Sequence, residues 1–230
     1  MSPNARRAEL AAGLAATRAR IAGACEASGR ADDVTLVVVT KYFPPSDVRL
    51  LHDLGVRDVG ENRHPEARDK KEACADLDLT WHFIGSLQSN KAAVVASYVD
   101  VVHSLDRAKL VRSLASAGRD LDVLLQVDLD PEPRAGRGGA RPEAVVDLAR
   151  LVHAEERLRL KGVMAVAPLG ADPVVAFDRL SAVAAEVRQI EPTATWVSAG
   201  MSGDLEAAIA AGATHVRVGS AVLGSRPVHR

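Results

Sequence analysis

Eight apolar, strand-length runs alternating with stretches of helical spacing predict an α/β fold, a single (β/α)8 barrel of the TIM type with one extra N-terminal helix. Two further observations narrow it. Several runs are nearly continuous in Val, Ile and Leu, as in TLVVVT at 35–40, which suits strands covered on both faces. The first run ends Thr40-Lys41-Tyr42-Phe43-Pro44, without the G-x-G-x-x-G turn that an open doubly wound sheet would carry there. A length of 230 residues suits one such barrel, so 1–230 is expected to be one domain.

The elements follow in order. Leu10, Leu14 and Ile21 recur near helical spacing, with Arg18 and Arg20 off that stripe, and predict a helix over 5–27 that Ser28-Gly29-Arg30 ends. Strands are expected at 35–40, 57–60, 80–84, 99–105, 123–129, 160–166, 195–199 and 214–218. Helices are expected at 45–54, 90–97, 107–117, 142–155, 174–190 and 205–211. Trp81 and Phe83 alternate with His82 and should pack between barrel and helices. Gly136-Arg137-Gly138-Gly139, amid Pro131, Pro133 and Pro142, reads as a flexible surface loop.

Composition excludes several functions. The net charge of −1 offers no footprint for nucleic acid or an acidic membrane, and 3 % aromatic residues make a poor base-stacking platform. Cys25 and Cys74 are too few for a disulfide framework or a zinc knuckle, and reduced thiols are the expectation. His64, His103 and His215 lack metal-ligand spacing, so no metal is expected. There is no signal peptide and no apolar run of membrane-spanning length, so a cytoplasmic protein, a monomer, is the expectation.

In this fold, chemistry sits where strands end. Strand 1 runs into Lys41, on the face of Val37 and Val39. If that face points inward, the ammonium is partly desolvated and becomes a nucleophile suited to a Schiff base. A lysine snorkelling to water from a strand end is the alternative. Gly200-Met201-Ser202-Gly203 and Gly219-Ser220-Ala221 follow the last two strands. Glycines there let backbone N–H groups approach an anion, and Ser202 and Ser220 add hydroxyls. Either serine alone could be a plain helix cap, but two adjacent turns with Arg217 between them describe a phosphate site. A lysine facing a phosphate cradle suggests pyridoxal 5'-phosphate (PLP) as cofactor. Arg217 could meet the phosphate or the ring nitrogen. Asn62 and His82 could orient the cofactor or be satisfied structural groups.

The same residues carry a resemblance over nearly the whole chain. Val38-Val39-Thr40-Lys41, Gly60-Glu61-Asn62, Trp81-His82-Phe83-Ile84-Gly85 with Leu87-Gln88-Ser89-Asn90-Lys91, Gly200-Met201-Ser202 with Asp204 and Glu206-Ala207-Ala208-Ile209, and Val216-Arg217-Val218-Gly219-Ser220 resemble the pyridoxal phosphate homeostasis family, the YggS/PROSC type, with its alanine-racemase-like barrel. The resemblance implies that Lys41 forms the internal aldimine. It implies that Ser198, Gly200, Met201, Ser202, Arg217, Gly219 and Ser220 surround the phosphate and ring, and it puts Asn62 and His82 in pocket motifs. Members are regarded as carriers or buffers of the cofactor in vitamin B6 and amino-acid homeostasis, without an established reaction. Transient contact with PLP-dependent apo-enzymes would follow. Ala199 and the Gly-, Pro- and Arg-rich stretch 130–141 depart from the family pattern.

Two functions are weighed: a non-catalytic PLP carrier, and a PLP-dependent amino-acid racemase or related enzyme. A racemase needs an acid/base group on each face of its substrate. In alanine racemases the opposing tyrosine is associated with an additional C-terminal β domain, and the sequence runs only ten residues past Ser220, so no such domain is expected. Of two tyrosines, Tyr42 is turned from the Lys41 face by alternation, and Tyr98 lies before strand 4, at the other end of the barrel. An arginine on the ring nitrogen would also weaken the cofactor as an electron sink. The carrier is the expectation.

Overall fold

The computed structural model describes residues 2–31, 33–132 and 138–225; 133–137 of the expected flexible loop lie outside them. Chain order is α1 (Pro3–Ala27), β1 (Thr35–Val39), α2 (Pro45–Asp53), β2 (Asp58–Glu61), α3 (Glu66–Ala73), β3 (Thr80–Phe83), α4 (Ser89–Ala96), β4 (Val101–Leu105), α5 (Ala108–Ala115), β5 (Leu121–Gln126), α6 (Pro142–His153), β6 (Leu158–Met164), α7 (Pro173–Ile190), β7 (Trp196–Ser198), α8 (Leu205–Ala210), β8 (His215–Val218) and α9 (Ser220–Leu223). The strands pair in parallel in chain order, and β8 returns to β1, with Thr35 opposite His215 and Val38 opposite Val218. This is the closed eight-stranded barrel expected from the sequence.

Period-two alternation divides each strand between lumen and shell. Outward Val38, Val59, Trp81, Phe83, Val102, Val123, Leu125, Val163, Val197 and Val216 pack against the helices in two large apolar clusters. The lumen is different: Val101, Leu124 and Met164 form a small apolar group beside buried His82, His103, Ser198, His215 and Arg217. A barrel interior is ordinarily filled by branched apolar residues, so this polar lumen calls for a chemical account.

The extra helix α1 packs Leu10, Leu14 and Ile21 with residues of α8 and α9 in the second cluster. Its polar side clamps these helices and α2. Arg6 pairs with Asp47 (2.6 Å) and donates to the Leu223 carbonyl (3.1 Å), and Arg20 pairs with Glu206 (2.7 Å) and donates to the Ser202 carbonyl (3.0 Å).

Two departures from the sequence reading have physical causes. Helix α3 was not foreseen because EARDKKEA is polar almost throughout; of its residues only Ala67 and Lys70 are buried. Strands β5 and β6 begin at Leu121 and Leu158, earlier than expected, because the charged Asp122 and Arg159 pair across the strands (2.5 Å).

Candidate functional site

Strand β1 stops at Val39, and Tyr42 takes a left-handed backbone, φ 71°, which a bulky residue adopts only when its surroundings hold it there. A buried cluster does so. Lys70 donates to the Thr40 carbonyl (2.8 Å) and to Glu61 Oε1 (2.5 Å), Thr40 Oγ1 donates to the same oxygen (2.6 Å), and Glu66 Oε1 accepts from the Tyr42 amide (2.8 Å). Lys70 and Glu61 are both buried, so each charge depends on the other. Burial pushes the Glu61 carboxyl up, against the opposing pull of Lys70 and Thr40. The pinned turn leaves Lys41 half-buried at the mouth, its Nζ 5.9 Å from the centre of the Tyr42 ring.

Lys41 opens onto a cavity of about 270 Å³, bounded by Val39, Lys41, Tyr42 and Phe43 on one side and by Met201, Ser202, Gly203, Arg217, Gly219, Ser220 and Gly224 on the other. The structure therefore brings Lys41, Met201, Ser202, Arg217, Gly219 and Ser220 together. Tyr42 corrects the sequence reading: alternation ends with β1, and the left-handed turn returns its side chain to the Lys41 pocket. Larger cavities of about 690 and 420 Å³ lie at the other end of the barrel, around the starts of β1, β2 and β4.

The two serine turns converge, with Ser202 Oγ 3.5 Å from Ser220 Oγ. Asp204 Oδ1 accepts from the Met201 amide (2.6 Å) and closes the first turn. The amides of Ser202 and Gly203 meet no protein acceptor among the described residues. Those of Ser220 and Ala221 open α9, where the first N–H groups lack intrahelical partners. Arg217 stands between the turns, buried, donating from one nitrogen to Ser198 Oγ (2.7 Å) and from the other to the Ala165 carbonyl (2.9 Å). Desolvation lowers its pKa to about 10, opposed by Asp204. No carboxylate lies within ion-pair distance of it among the described residues. A buried cation, two hydroxyls and free amides around one cavity make a site for an anionic ligand, with an amine at its edge.

Four expected site residues stand off that wall. Gly200, φ 90°, shapes the turn and its carbonyl accepts from the Arg217 amide (2.9 Å). Ser198 is wholly buried beneath Arg217. Asn62 lies at the end of β2, its Oδ1 buried without a partner, packed so closely under Gly85 that a Cβ there would strike its backbone. His82 is deeper still. It sits inside the lumen, where its Nδ1 meets His103 Nε2 (2.9 Å) and its Nε2 meets Asp58 Oδ1 (3.0 Å). Alternation gave its face correctly but not its depth. His103 Nδ1 meets Ser198 Oγ (3.0 Å), so side chains bond in unbroken sequence from Asp58 to Arg217. Burial lowers the pKa of His103 well below the ordinary value, and that of His215 to about 4. Sequence reasoning missed Asp58, His103 and Lys70; the available signal was an inward histidine on each of two adjacent strands.

Trp81 and Phe83 pack outward as expected, and Cys25 and Cys74 are free thiols. No group of three His, Cys, Asp or Glu residues among the described residues could hold a metal. No helix among them is long and apolar enough to cross a membrane.

Comparison with known proteins gives consistent likenesses. The family described as alanine racemase, N-terminal domain, matches residues 14–227. The pyridoxal phosphate homeostasis protein of Mycobacterium bovis is 41% identical over 243 residues, covering 96% of this chain and 94% of its own. That of Pseudomonas aeruginosa is 42% identical over 226 residues, covering 94% and 96%. The PLP-bound structure of PipY from Synechococcus elongatus superposes with a TM-score of 0.81 at 33% identity, covering 94% of this chain and all of that one.

Proposed function

The chain belongs to the alanine racemase N-terminal domain family and, within it, to the pyridoxal phosphate homeostasis proteins, and we propose that it holds PLP in the Lys41–Arg217 pocket as a carrier. One observation carries this reading: a half-buried amine and a buried guanidinium share a small cavity with two converging serine turns, in which the Ser202 and Gly203 amides meet no protein acceptor among the described residues. When bound, PLP supplies an aldehyde that condenses with a primary amine, and a phosphate. Lys41 offers the amine. The hydroxyls of Ser202 and Ser220 and the amides of Ser202, Gly203, Ser220 and Ala221 hold the anion, in turns shaped by Gly200, Met201 and Gly219. Arg217 gives it a fixed charge, Ser198 and His82 support Arg217 from below, and Asn62 borders the mouth. The protein buffers PLP as a monomer in the cytoplasm and delivers it by transient contact with apo-enzymes.

Borohydride treatment of the yellow holo-protein, followed by peptide mapping, tests the attachment. The adduct is expected on Lys41; an adduct on Lys91 or Lys161 would refute the assignment. Lys41→Ala should lose the visible band and keep the fold, since it removes a charge at the mouth and no core volume.

Tyr42 is the observation that favours a second reading, because it brings a phenol to the Lys41 pocket and a racemase needs a second acid/base. Incubating holo-protein with L- and D-alanine in heavy water and following α-proton exchange by NMR separates the two. The carrier exchanges near the rate of free PLP. Fast exchange abolished by Lys41→Ala would make the protein a small racemase.

A further inference from the structure

We propose that Asp58, at the opposite mouth of the barrel, is a positioning residue for Arg217: it fixes the direction of every proton from His82 to Ser198 and so presents the guanidinium to the PLP pocket in one orientation. The proposal rests on the pocket reading above. Its substance is the order of the buried bonds: Asp58 to His82 (3.0 Å), His82 to His103 (2.9 Å), His103 to Ser198 (3.0 Å) and Ser198 to Arg217 (2.7 Å).

The donors can be assigned from both ends. A carboxylate only accepts, so the proton between Asp58 and His82 belongs to His82 Nε2. A neutral imidazole has one donor and one acceptor, so His82 Nδ1 accepts from His103 Nε2, and His103 Nδ1 accepts from the Ser198 hydroxyl. That hydroxyl has one proton, now committed downward, and its oxygen receives the N–H of Arg217, which only donates. Donor-only and acceptor-only ends leave a single arrangement of neutral imidazoles. Burial keeps His103 uncharged, as the assignment requires. The competing arrangement makes His82 a cation, turns both histidine bonds around and sets a second buried positive charge in the lumen with Arg217.

Asp58 is suited to hold the far end. Its side chain is 27% exposed and borders both lower cavities, whereas His82 is fully enclosed. No residue that borders the lower cavities with Asp58 borders the PLP pocket, and the bonded chain is the route assigned to its effect there. Asparagine at this position can donate as readily as accept, and it removes the condition that orders the protons. Asp122 provides the comparison. It borders the same lower cavity but is bonded to Arg159 and not to a histidine.

The experiment has two readouts. Nitrogen-15 NMR of the imidazole nitrogens in protein without PLP reports the tautomers directly. His82 and His103 are both expected to carry the proton on Nε2, and Asp58→Asn is expected to mix the tautomers. A proton on His103 Nδ1 in the wild type would overturn the proposal. PLP is then titrated by absorbance. Asp58→Asn should weaken binding about tenfold and shift the visible band, the scale of one lost charged bond, while Asp122→Asn matches the wild type and Asp58→Glu recovers it. Asp58→Asn binding PLP as tightly as Asp122→Asn, with the same spectrum, would equally overturn it. If the wild type takes up no PLP at Lys41, the pocket reading fails and the claimed effect on cofactor fails with it, whereas normal wild-type loading with an unresponsive Asp58→Asn refutes this proposal alone.

Discussion

At Arg217, burial draws the guanidinium down to about 10 while Asp204 pulls the other way, and the two hydrogen bonds it makes run to neutral oxygens. Its charge is therefore available to a ligand. Arg217→Ala should weaken PLP retention by about 1.5–3 kcal/mol, the worth of a hydrogen bond to a charged group, measured as PLP remaining after dilution and dialysis. Arg217→Lys should not restore it, because an ammonium cannot reach both Ser198 and the Ala165 carbonyl with a planar fork. Lys41 and Arg217 were legible in the sequence since both lie on or just past strands whose alternation fixes a face. Tyr42 was not, because alternation says nothing once a strand has ended, and its turn is set by Lys70 and Glu66, which are distant in sequence. His82 was placed on the right face at the wrong height, since a face carries no information about depth.

Among the elements, α1 does most to hold the serine turns in place. Gly13 faces α9 so closely that a Cβ would lie 2.6 Å from the Val222 carbonyl oxygen. Gly13→Leu should push α1 off α9, cost roughly 1–3 kcal/mol as overpacking does, and loosen PLP without altering any pocket residue. Gly23, on the same helix, has nothing within 4 Å of its added Cβ, so Gly23→Ala should stabilise the helix by about 0.5–1 kcal/mol. Thermal melts with and without PLP distinguish the two. The sequence showed that α1 exists through Leu10, Leu14 and Ile21. Its role as a clamp depends on Arg6 meeting Asp47 and Arg20 meeting Glu206, pairings that only the closed barrel creates. Helix α3 stayed hidden for the opposite reason: its exposed polar surface carries no period.

For the molecule as a whole, the polar lumen links stability to acidity. His215 is buried and uncharged, its pKa lowered to about 4 by desolvation and then by His82, and His103 is lowered in the same sense by its burial. The unfolded chain protonates these histidines near 6.5, whereas the native state resists. Stability is thus full above about 6.5 and is lost as pH falls toward 4. His215 alone should account for a loss on the order of 2 kcal/mol by about pH 5. Urea midpoints compared at neutral pH and at about pH 5 should show this drop, and His215→Gln should flatten it. An equal drop in the variant would show that the acid sensitivity lies elsewhere. The eight-fold alternation that predicted the barrel gave no warning of this dependence, because a buried histidine and a buried valine occupy the same place in a period of two.

The seam between β7 and β8 is short. Ser198 opposes His215, and the Thr214, Ala199 and Arg217 amides bond across it to Val197, His215 and Gly200, whereas β5 and β6 pair at six positions, from Leu121 opposite Leu158 to Gln126 opposite Met164, with one register shift after Val123. A brief ladder opens at lower free energy than a long one. In deuterated solvent the Ala199, Thr214 and Arg217 amides should therefore exchange sooner than those of β5. The serine turns hang from opposite sides of this seam, so an anion bound to both would staple it shut. Adding PLP should slow exchange there more than in β5 and β6, and a uniform slowing across all strands would show that the ligand does not bridge the two turns.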